Sequence, residues 1–542
     1  MRERNELILA DLIQLRAEQN PDLDVLTFEH QSLDGGETAD EVRTYADLHE
    51  NANRLAAGMQ ARGIECGDRV AVMLRNHPEF VEIAIACGIL GALIVPIDPR
   101  TRRDKLGFML RKAGCRGIVC AAEAIAQLPE DAAVAPQLEW VWLIDAAAVP
   151  ARLRSDPIRE TLEKAVPTVD VCVDSPDAPL QIMFTSGTTG DPKGIVGDNA
   201  RFCSAGILGL IFGYQPDDRP YTGLSLTHGN AQSVTLMPAL NLGLRAVFSR
   251  RFTKSKLWDV VRHHGCTTFS LVGGMATAIY SEPARPDDAD NPVRMVVSGG
   301  MPRAIWEPFE RRFDLRVLEF YGAMDGGGMA FKPIGEGPVG SFGKPMPNIQ
   351  MKILDEAGHE SPPGVVGEIC CRPQDGGDAT IEYFADDEAS RRKIRAGWNR
   401  SGDMGHTDAD GWLFFDYRAG GGLRHNGDFI DPSQVERVIA ECPSVADVFV
   451  YGIPAASGAP GEKDVVAAVV FVPEEGGSPA ALRRYCGDHL EGNSVPSHFQ
   501  VVDEIPKTAS EKPQERLLRE RLEDDGEAAG MRSTDVGARP AR

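Results

Sequence analysis

The chain has 542 residues, of which 42% are hydrophobic and 25% are charged, the composition of an ordinary soluble globular protein. This length exceeds what one hydrophobic core usually organises, so at least two domains are expected. The formal net charge of −23 argues against nonspecific binding of nucleic acid and against attraction to anionic membranes, because both attract positively charged surfaces.

Cysteine usage and the N-terminus indicate a cytoplasmic location. The 11 cysteines are odd in number and include no Cys-x-x-Cys pair, so neither a disulfide framework nor a zinc site is expected. The N-terminal stretch MRERNELILADL combines acidic and aliphatic residues and predicts a surface helix, not a secretion signal. No membrane insertion is expected, because Gly88, Gly91 and Pro96 interrupt the longest apolar run, residues 83–97.

The first third of the chain alternates helical and strand patterns. From residue 44, apolar residues at helical spacing precede a glycine turn and the strand-like RVAVML. Residues 83–97 predict a second helix followed by a buried strand. Residues 129–177 show little periodicity and are expected to form peripheral structure. The repeated alternation predicts a layered α/β domain.

The stretch FTSGTTGDPKG, residues 184–194, has the composition of a phosphate-binding loop. It follows the strand-like LQIMF, at the kind of sheet edge where α/β proteins bind ligands. Its glycines permit close backbone approach, its hydroxyls donate hydrogen bonds, and Lys193 supplies positive charge. It is not a Walker A loop, because Pro192 and Gly194 flank the lysine. From composition alone, a flexible turn is an equal alternative.

The string TSGTTGDPKG closely resembles the signature loop of the adenylate-forming superfamily, which includes acyl-CoA synthetases, nonribosomal-peptide adenylation domains and firefly luciferase. The resemblance implies an α/β fold with a large multi-subdomain N-terminal domain and a small C-terminal α+β domain that rotates about a hinge. It also implies that the loop holds the β and γ phosphates of ATP. The residues assigned to this role are Thr185, Ser186, Gly187, Thr188, Thr189, Gly190 and Lys193.

Two later strand ends resemble nucleotide-binding motifs of the superfamily. PVRMVVSGGMP runs into a turn that contacts adenine in the family. VLEFYGAMDGGG resembles the Tyr-Gly-x-Thr-Glu motif, whose tyrosine stacks on adenine, whose threonine contacts phosphate and whose glutamate helps to hold Mg²⁺. The residues assigned to the nucleotide here are Gly299, Gly300, Met301, Tyr321 and Gly322.

This chain departs from that motif at two positions. Met324 replaces the threonine and has no hydroxyl, so the phosphate contact is not carried over. Asp325 replaces the glutamate and keeps an oxygen ligand of the kind that Mg²⁺ prefers, with a shorter reach. The resemblance therefore implies a metal role for Asp325.

Further residues are assigned by the same resemblance. Asp403, in RSGD, matches the carboxylate that binds both ribose hydroxyls, and Arg418 matches an arginine that contacts the nucleotide. By themselves, an acid in a glycine-rich turn and an arginine after a strand are ordinary surface features. The residues expected to line the acyl pocket are His228, Asn230, Ala323 and Met324. No counterpart is evident of the aspartate with which amino-acid-activating relatives bind the substrate amine.

The chain after Arg418 predicts a hinge and a small domain. Gly420, Gly421 and Gly422 follow one another, which is typical of a domain boundary, although relatives carry Lys or Asp at the position of Gly420. DPSQVERVIA, VADVFVYGIP and DVVAAVVFVP predict a helix and two strands. The expected organisation is an N-terminal domain over residues 1–417, a hinge over 418–422, a C-terminal domain over 423–523 and a disordered tail over 524–542.

The stretch IPKTASEK resembles the Pro-Lys-Thr-x-x-Gly-Lys terminus of the family. The resemblance implies that Lys512 is the catalytic lysine, which contacts the carboxylate and the α-phosphate. Glu511 replaces the usual glycine of that motif. The resemblance also implies that domain rotation later withdraws Lys512 and presents another face, including the region of Gly427, for thioester formation.

The expected activity is that of an ATP- and Mg²⁺-dependent ligase that converts a carboxylic acid into an acyl-AMP and then into an acyl-CoA. Two alternatives stay open. One is a stand-alone adenylating enzyme that loads an acyl carrier protein. The other is a catalytically impaired nucleotide-binding homologue, suggested by Met324, Gly420 and Asn199, which stands where relatives often have His. The sequence does not identify the acid, and a homodimer is left open.

Overall fold

The computed structural model describes residues 3–30, 39–101, 103–145, 147–184, 192–326, 328–418, 423–425, 428–430, 432–455, 463–473, 475–490, 492–508 and 511–528. The chain divides into two compact units. The first comprises residues 1–271, 287–297 and 381–392, and the second comprises residues 272–286, 298–380 and 393–542. The hinge proposed for residues 418–422 falls within the range of the second unit and stays a prediction.

The fold is mixed α/β. Its strands are β1 Asp24–Glu29, β2 Glu41–Thr44, β3 Arg69–Met73, β4 Leu93–Pro96, β5 Cys115–Cys120, β6 Trp140–Leu143, β7 Arg154–Pro157, β8 Pro179–Phe184, β9 Gly194–Asp198, β10 Pro220–Thr222, β11 Ala246–Ser249, β12 Thr268–Val272, β13 Met295–Gly299, β14 Arg316–Gly322, β15 Met329–Lys332, β16 Lys344–Pro345, β17 Ile349–Leu354, β18 Gly367–Pro373, β19 Ile394–Arg395, β20 Trp398–Thr407, β21 Leu413–Arg418, β22 Leu423–His425, β23 Asp428–Ile430, β24 Val445–Pro454, β25 Lys463–Phe471 and β26 His498–Val501. Its α-helices are α1 Leu9–Gln19, α2 Tyr45–Gln60, α3 Pro78–Leu90, α4 Arg103–Ala113, α5 Ile158–Leu162, α6 Asn199–Ser204, α7 Leu208–Ile211, α8 Met237–Leu242, α9 Leu257–His264, α10 Gly273–Tyr280, α11 Arg303–Phe313, α12 Asp387–Lys393, α13 Pro432–Ala440, α14 Pro479–His489 and α15 Glu515–Ala528.

The first unit contains a seven-stranded sheet in the order β7-β6-β5-β3-β4-β8-β9. Its neighbours are parallel except β9, which runs antiparallel to β8. The predicted helix after residue 44 and the predicted strand RVAVML are confirmed as α2 and β3. Thr44 caps α2, because its side chain accepts a hydrogen bond from Asp47 N–H at 3.1 Å. The predicted LQIMF strand is confirmed as β8, which precedes the residues predicted to bind phosphate.

A second sheet of the first unit has the order β13-β12-β10-β11-β1-β2. The pairs from β12 to β1 are parallel, and β2 lies antiparallel at the edge. Parallel strands carry their carboxyl ends to one edge of a sheet, which is where ligand-binding loops are placed in α/β proteins. Among the described residues, no helix is both long enough and apolar enough to cross a bilayer.

The expectation of peripheral structure over residues 129–177 is wrong for β6. This strand lies inside the seven-stranded sheet, between β5 and β7. Its residues Trp140 and Trp142 are buried, with ring centroids 5.1 Å apart. A strand covered on both faces has a continuous apolar run, so WVWL lacks the alternation on which a strand prediction depends.

The predicted N-terminal helix forms as α1, but its first turns are not on the surface. Its buried residues include Leu9, Leu12 and Ile13. The N–H of Leu9 donates to Oδ1 of Asn199 at 3.1 Å, and Nδ2 of Asn199 donates to Ala178 O at 2.9 Å. Asn199 is fully buried, so the residue that replaces the usual histidine anchors α1 to the start of β8.

The second unit contains β14-β15-β16, the sheet β17-β18-β20-β19 with β21 beside β20, the hairpin β22-β23 and the sheet β24-β25-β26. The predicted helix and two strands of the C-terminal region are confirmed as α13, β24 and β25. Their apolar core includes Val435, Ile439, Val465 and Val469, all fully buried.

The disordered tail was predicted to begin too early in the chain. Helix α15 continues through Ala528, whereas the tail was placed from residue 524 onward. Leu518 is fully buried and anchors the helix, and Arg519 pairs with Glu515 at 2.6 Å, one turn away. These contacts stabilise the helix, although the residues at its end show no apolar periodicity. Residues 529–542 lie outside the described residues.

Candidate active site

Three residues predicted to bind the nucleotide come together in the second unit. The hydroxyl of Tyr321 donates to Oδ2 of Asp403 at 2.6 Å, across a sequence separation of 82 residues. Asp403 pairs with Arg418 in the antiparallel register of β20 and β21. The Tyr321 ring stacks on Phe342, with centroids 4.7 Å apart and an interplanar angle of 29°. The end of β14 and the strand pair β20–β21 therefore bring together the ring of Tyr321, the carboxylate of Asp403 and the backbone position of Arg418.

Asp403 is oriented by its own strand. It is only 6% exposed, and its N–H donates to Oγ of Ser401 at 2.9 Å. Gly402, between them, has a φ of 80°, a left-handed conformation that glycine adopts without a side-chain clash. The Ser-Gly-Asp sequence thus forms a local irregularity within β20 that holds the backbone of Asp403.

The turn at Gly299, Gly300 and Met301 is held by Glu319, a residue that the sequence analysis missed. The Glu319 carboxylate accepts hydrogen bonds from the N–H groups of Gly300 and Met301, the second at 3.0 Å. Burial raises the pKa of Glu319 to about 8, although these two hydrogen bonds oppose the rise. The sequence feature that could have pointed to Glu319 is that it is the one acid within the apolar strand VLEFYG. Its two acceptor atoms fix the turn that was predicted to contact adenine.

Glu319→Gln is expected to remove a pH dependence of stability. The carboxyl has a pKa of about 8 in the folded protein against an ordinary value of 4.5, so between these values the folded chain holds a proton that the unfolded chain has lost. The free energy of unfolding should therefore fall as pH rises through this window, by at most about 1.4 kcal/mol per pH unit for this group. Urea titrations of both proteins from pH 5 to pH 8 measure the difference, and a difference that does not change with pH would contradict the raised pKa.

The predicted metal ligand Asp325 forms an ion pair. Its Oδ2 lies 2.5 Å from Nζ of Lys393, and the two side chains are 14% and 13% exposed. Nζ of Lys393 also donates to Ser401 O at 3.1 Å. The sequence analysis missed Lys393, because one lysine in the charged stretch RRKIR has no distinguishing pattern. An ammonium group thus stands beside the carboxylate that was predicted to hold Mg²⁺.

The loop that carries Asp325 is pinned by neighbouring strands. Nδ2 of Asn399 donates to Asp325 O at 2.8 Å, and Sγ of Cys371 donates to Gly326 O at 3.0 Å. Of the other residues predicted at this loop, Gly322 is exposed, while Ala323 and Met324 are partly buried.

Lys512 lies in a segment whose described residues, Lys507, Thr508 and residues 511–513, we call the lysine loop. Its two ends pair in a β-bridge. Thr508 N–H donates to Lys512 O at 2.8 Å, and Lys512 N–H donates to Oγ1 of Thr508 at 3.2 Å. Glu511 has a φ of 57°, the left-handed region in which the family's glycine is unstrained and another residue costs roughly 1–2 kcal/mol. Glu511 therefore adopts the backbone conformation that a glycine favours.

The lysine loop lies against the start of α10. A Cβ atom added to Gly274 would lie 3.5 Å from Glu511 O, and one added to Gly273 would lie 2.3 Å from Gly300 O. The first distance is an ordinary contact, whereas the second would displace the backbone of Gly300. Two consecutive glycines therefore border both the lysine loop and the turn at Gly300.

The first unit holds the other predicted lysine. Nζ of Lys193 lies 5.2 Å from the centroid of the Tyr383 ring, within cation–π distance. The chain around Tyr383 runs beside β9, where Phe384 N–H donates to Gly194 O at 2.7 Å. Tyr383 was missed by the sequence analysis, because nothing near it in sequence points to the loop. The remaining predicted phosphate-loop residues lie outside the described residues, as do Gly420 and Gly427; the loop residues are Thr185, Ser186, Gly187, Thr188, Thr189 and Gly190.

His228 and Asn230 also lie in the first unit. Asn230 N–H donates to Nδ1 of His228 at 3.3 Å, and Oδ1 of Asn230 is buried without a hydrogen-bond partner among the described residues. The segment that leads to them is fixed by Asn76, a buried residue in the loop that follows β3. Its Nδ2 donates to Leu224 O at 2.9 Å, and its Oδ1 accepts from Leu226 N–H at 2.8 Å. A polar residue shortly after the apolar strand β3 was the signal for Asn76.

Comparison with known proteins agrees with this organisation. The family pattern described as AMP-binding enzyme matches residues 13–376, and that described as AMP-binding enzyme C-terminal domain matches residues 434–512. The chain has the α/β fold of adenylate-forming enzymes, with a large N-terminal and a small C-terminal domain. The crystal structure of the anthranilate CoA ligase AuaEII in complex with anthranoyl-AMP has this fold, with a TM-score of 0.82 and 20% identity over 96% of this chain and 98% of that chain.

Two relatives are similar in sequence over most of their length. The fatty acid–[acyl-carrier-protein] ligase ScoC of Streptomyces coeruleorubidus is 28% identical over 88% of this chain and 91% of its own. The medium/long-chain-fatty-acid–CoA ligase FadD17 of Mycobacterium marinum is 29% identical over 91% of this chain and 93% of its own. The protein therefore belongs to the adenylate-forming family of AMP-binding enzymes.

Proposed function

We propose that this AMP-forming ligase activates a carboxylic acid with ATP and transfers the acyl group to the thiol of CoA. The observation that carries the proposal is the position of the lysine loop. Within one unit, the loop that carries Lys512 borders Gly274, and the adjoining Gly273 borders the turn at Gly300. The lysine loop and the turn predicted to contact adenine thus adjoin the same pair of glycines, which supports a shared role in adenylation.

In the first step, a carboxylate oxygen of the acid attacks the α-phosphorus of ATP. The bond between that phosphorus and the bridging oxygen breaks, and pyrophosphate leaves with the electron pair. Because charge builds up on the phosphoryl oxygens, positive groups held in place lower the barrier. Lys512 would contact the carboxylate and the α-phosphate, while Lys193 and the loop of residues 185–190 would hold the β and γ phosphates.

The nucleotide itself would be held by the second unit. Tyr321 would stack on adenine beside the turn at Gly299–Met301, and Gly322 would allow the close approach. Asp403 would accept hydrogen bonds from both ribose hydroxyls, since one carboxylate matches a vicinal diol. Arg418 would contact the nucleotide from the neighbouring strand.

In the second step, the sulfur of CoA, as thiolate after losing its proton to solvent, attacks the acyl carbonyl carbon. The bond to the adenylate oxygen breaks, and AMP leaves. Lys512 would withdraw by rotation of the C-terminal domain about residues 418–422, and the region of Gly427 would then face the thiol. The glycines of this segment are consistent with such a rotation.

Mg²⁺ accompanies ATP in this proposal, but the residues at the predicted metal position do not fit it. Mg²⁺ binds oxygen ligands, such as carboxylate, phosphate and water, at about 2.0–2.1 Å. The Asp325 carboxylate instead faces the ammonium of Lys393 at 2.5 Å, and Met324 offers no oxygen donor from its side chain. No catalytic step is therefore assigned to a metal bound at Asp325.

Transfer to an acyl carrier protein is the second candidate, because the relative ScoC is named for that acceptor. Mass spectrometry of the products distinguishes the two, with one acid presented together with either CoA or a phosphopantetheinylated carrier protein. Acyl-CoA formed at a rate at least tenfold above acyl-carrier formation supports the main proposal. The reverse ratio supports the second candidate.

The acyl pocket is proposed to involve His228, Asn230, Ala323 and Met324. Among these, Asn230 has a buried carbonyl oxygen without a hydrogen-bond partner in the described residues. A buried acceptor of this kind is costly unless a ligand donor reaches it.

Gly274→Leu is expected to slow adenylation selectively. A side chain that extends beyond Cβ at this position would meet the backbone of the lysine loop, which already lies 3.5 Å from the Cβ position. Pyrophosphate exchange should fall by about tenfold or more, while thioester formation from supplied acyl adenylate should change by less than about threefold. Gly274→Ala is the matched control and should behave as the wild type; equal losses in both half-reactions would contradict the proposal.

A further inference from the structure

We infer that Lys393, not a metal ion, supplies the positive charge at the Asp325 carboxylate, and that the Mg²⁺ of ATP is held without Asp325. This inference rests on the proposed function, because it concerns the nucleotide site of that reaction. Lys393 acts through other residues and is therefore a positioning residue. Its role follows from the contacts that surround it.

The ion pair is built into the fold. Nζ of Lys393 has two acceptors, Oδ2 of Asp325 at 2.5 Å and Ser401 O at 3.1 Å. Both charged side chains are less than 15% exposed, so water screens the pair only weakly. Lys393 also lies at the end of α12, directly before β19, so its backbone is fixed by regular structure on both sides.

A magnesium ion bound at Oδ2 of Asp325 would compete with this ammonium for the same oxygen. Inner-sphere binding at Oδ2 would place a dication about 2.0–2.1 Å from an atom that already accepts from Lys393 at 2.5 Å. Moving the lysine away would separate a largely buried ion pair and leave a charge uncompensated, which is strongly unfavourable. Magnesium also requires near-octahedral oxygen coordination, to which the thioether of the adjacent Met324 contributes nothing.

The same lysine links two parts of the nucleotide site. Through Asp325 it holds the loop that follows Tyr321, and through Ser401 it holds the part of β20 that carries Asp403, whose N–H donates to Ser401 Oγ. The departures at Met324 and Asp325 therefore remove a hydroxyl and shorten the carboxylate side chain, while Lys393 supplies a fixed cation that keeps the loop in place.

The experiment measures the affinity for ATP by calorimetry over a series of free Mg²⁺ concentrations, which needs no knowledge of the acid. The variants are Lys393→Met, Asp325→Asn and the double variant Lys393→Met/Asp325→Asn. Lys352→Met is the matched control, because Lys352 forms an ion pair of the same 2.5 Å length with Glu360 on the surface. Thermal melting of each variant reports on folding.

In Asp325→Asn, the Mg²⁺ concentration that gives half-maximal ATP affinity should stay within about twofold of the wild type. In Lys393→Met, the uncovered carboxylate should bind the metal, and this concentration should fall by about fivefold or more. The double variant, which lacks both charges, should return to the wild-type value even if Lys393→Met alone is less stable.

A rise of fivefold or more in the Mg²⁺ requirement of Asp325→Asn, with Lys393→Met unchanged, would overturn the inference and make Asp325 a metal ligand. In that case the wild type still binds ATP, so the proposed function stands. Absence of ATP binding by the wild type at every Mg²⁺ concentration would instead reject the proposed function, and this inference with it.

Discussion

Lys512→Ala is expected to lower carboxylate-dependent pyrophosphate exchange by at least about 100-fold, the usual effect of removing one positioned electrostatic group. The exposed side chain of Lys512 contributes little to packing, so the melting temperature should stay that of the wild type. Thioester formation from supplied acyl adenylate should change by less than about threefold, because the lysine is withdrawn in that step. Stopped assays of the two half-reactions measure these effects separately.

Lys164→Ala is the control for this prediction, because it removes an exposed lysine of the other unit. Both half-reactions should keep their wild-type rates in that variant. If Lys512→Ala reduces both half-reactions equally, the lysine is not specific to adenylation. The proposed rotation of the C-terminal domain would then be wrong.

Asp403→Ala is expected to weaken ATP binding by about 100-fold or more. The carboxylate would accept two hydrogen bonds from the ribose, and hydrogen bonds to a charged group contribute about 1.5–3 kcal/mol each. Calorimetric titration with ATP measures the loss, and circular dichroism checks that the variant folds.

Tyr321→Phe is the companion to that variant. It removes only the hydroxyl that donates to Asp403 and retains the ring proposed to stack on adenine. Its ATP affinity should fall by about tenfold or less. If Asp403→Ala binds ATP within about threefold of the wild type, Asp403 does not bind the ribose.

The regular elements were predictable wherever the apolar pattern had a clear period. The helix after Thr44 and the strand Arg69–Met73 follow from that pattern, as do α13, β24 and β25. The strand at Trp140 was not predictable, because a short run buried on both faces shows no alternation. The burial of α1 depends on Asn199, nearly 200 residues away, and helical period alone carries no information about such a contact.

The site was predictable residue by residue only where the chain matches a family motif. The pairing of Tyr321 with Asp403 could be expected once both were assigned to one nucleotide. The roles of Glu319 and Lys393 could not be predicted. A buried acid in a strand and a lysine in a charged helix have no recognisable role until the fold brings their partners into contact. The departure at Asp325 was visible in the sequence, but the cation beside it was not.

The most direct test of the proposed function is carboxylate-dependent exchange of labelled pyrophosphate into ATP, measured across a panel of aliphatic, aromatic and hydroxylated acids. The proposal predicts exchange with at least one acid, and loss of that exchange in Lys512→Ala. Tight ATP binding with no exchange for any acid in the panel would contradict it and would favour a nucleotide-binding homologue without ligase activity.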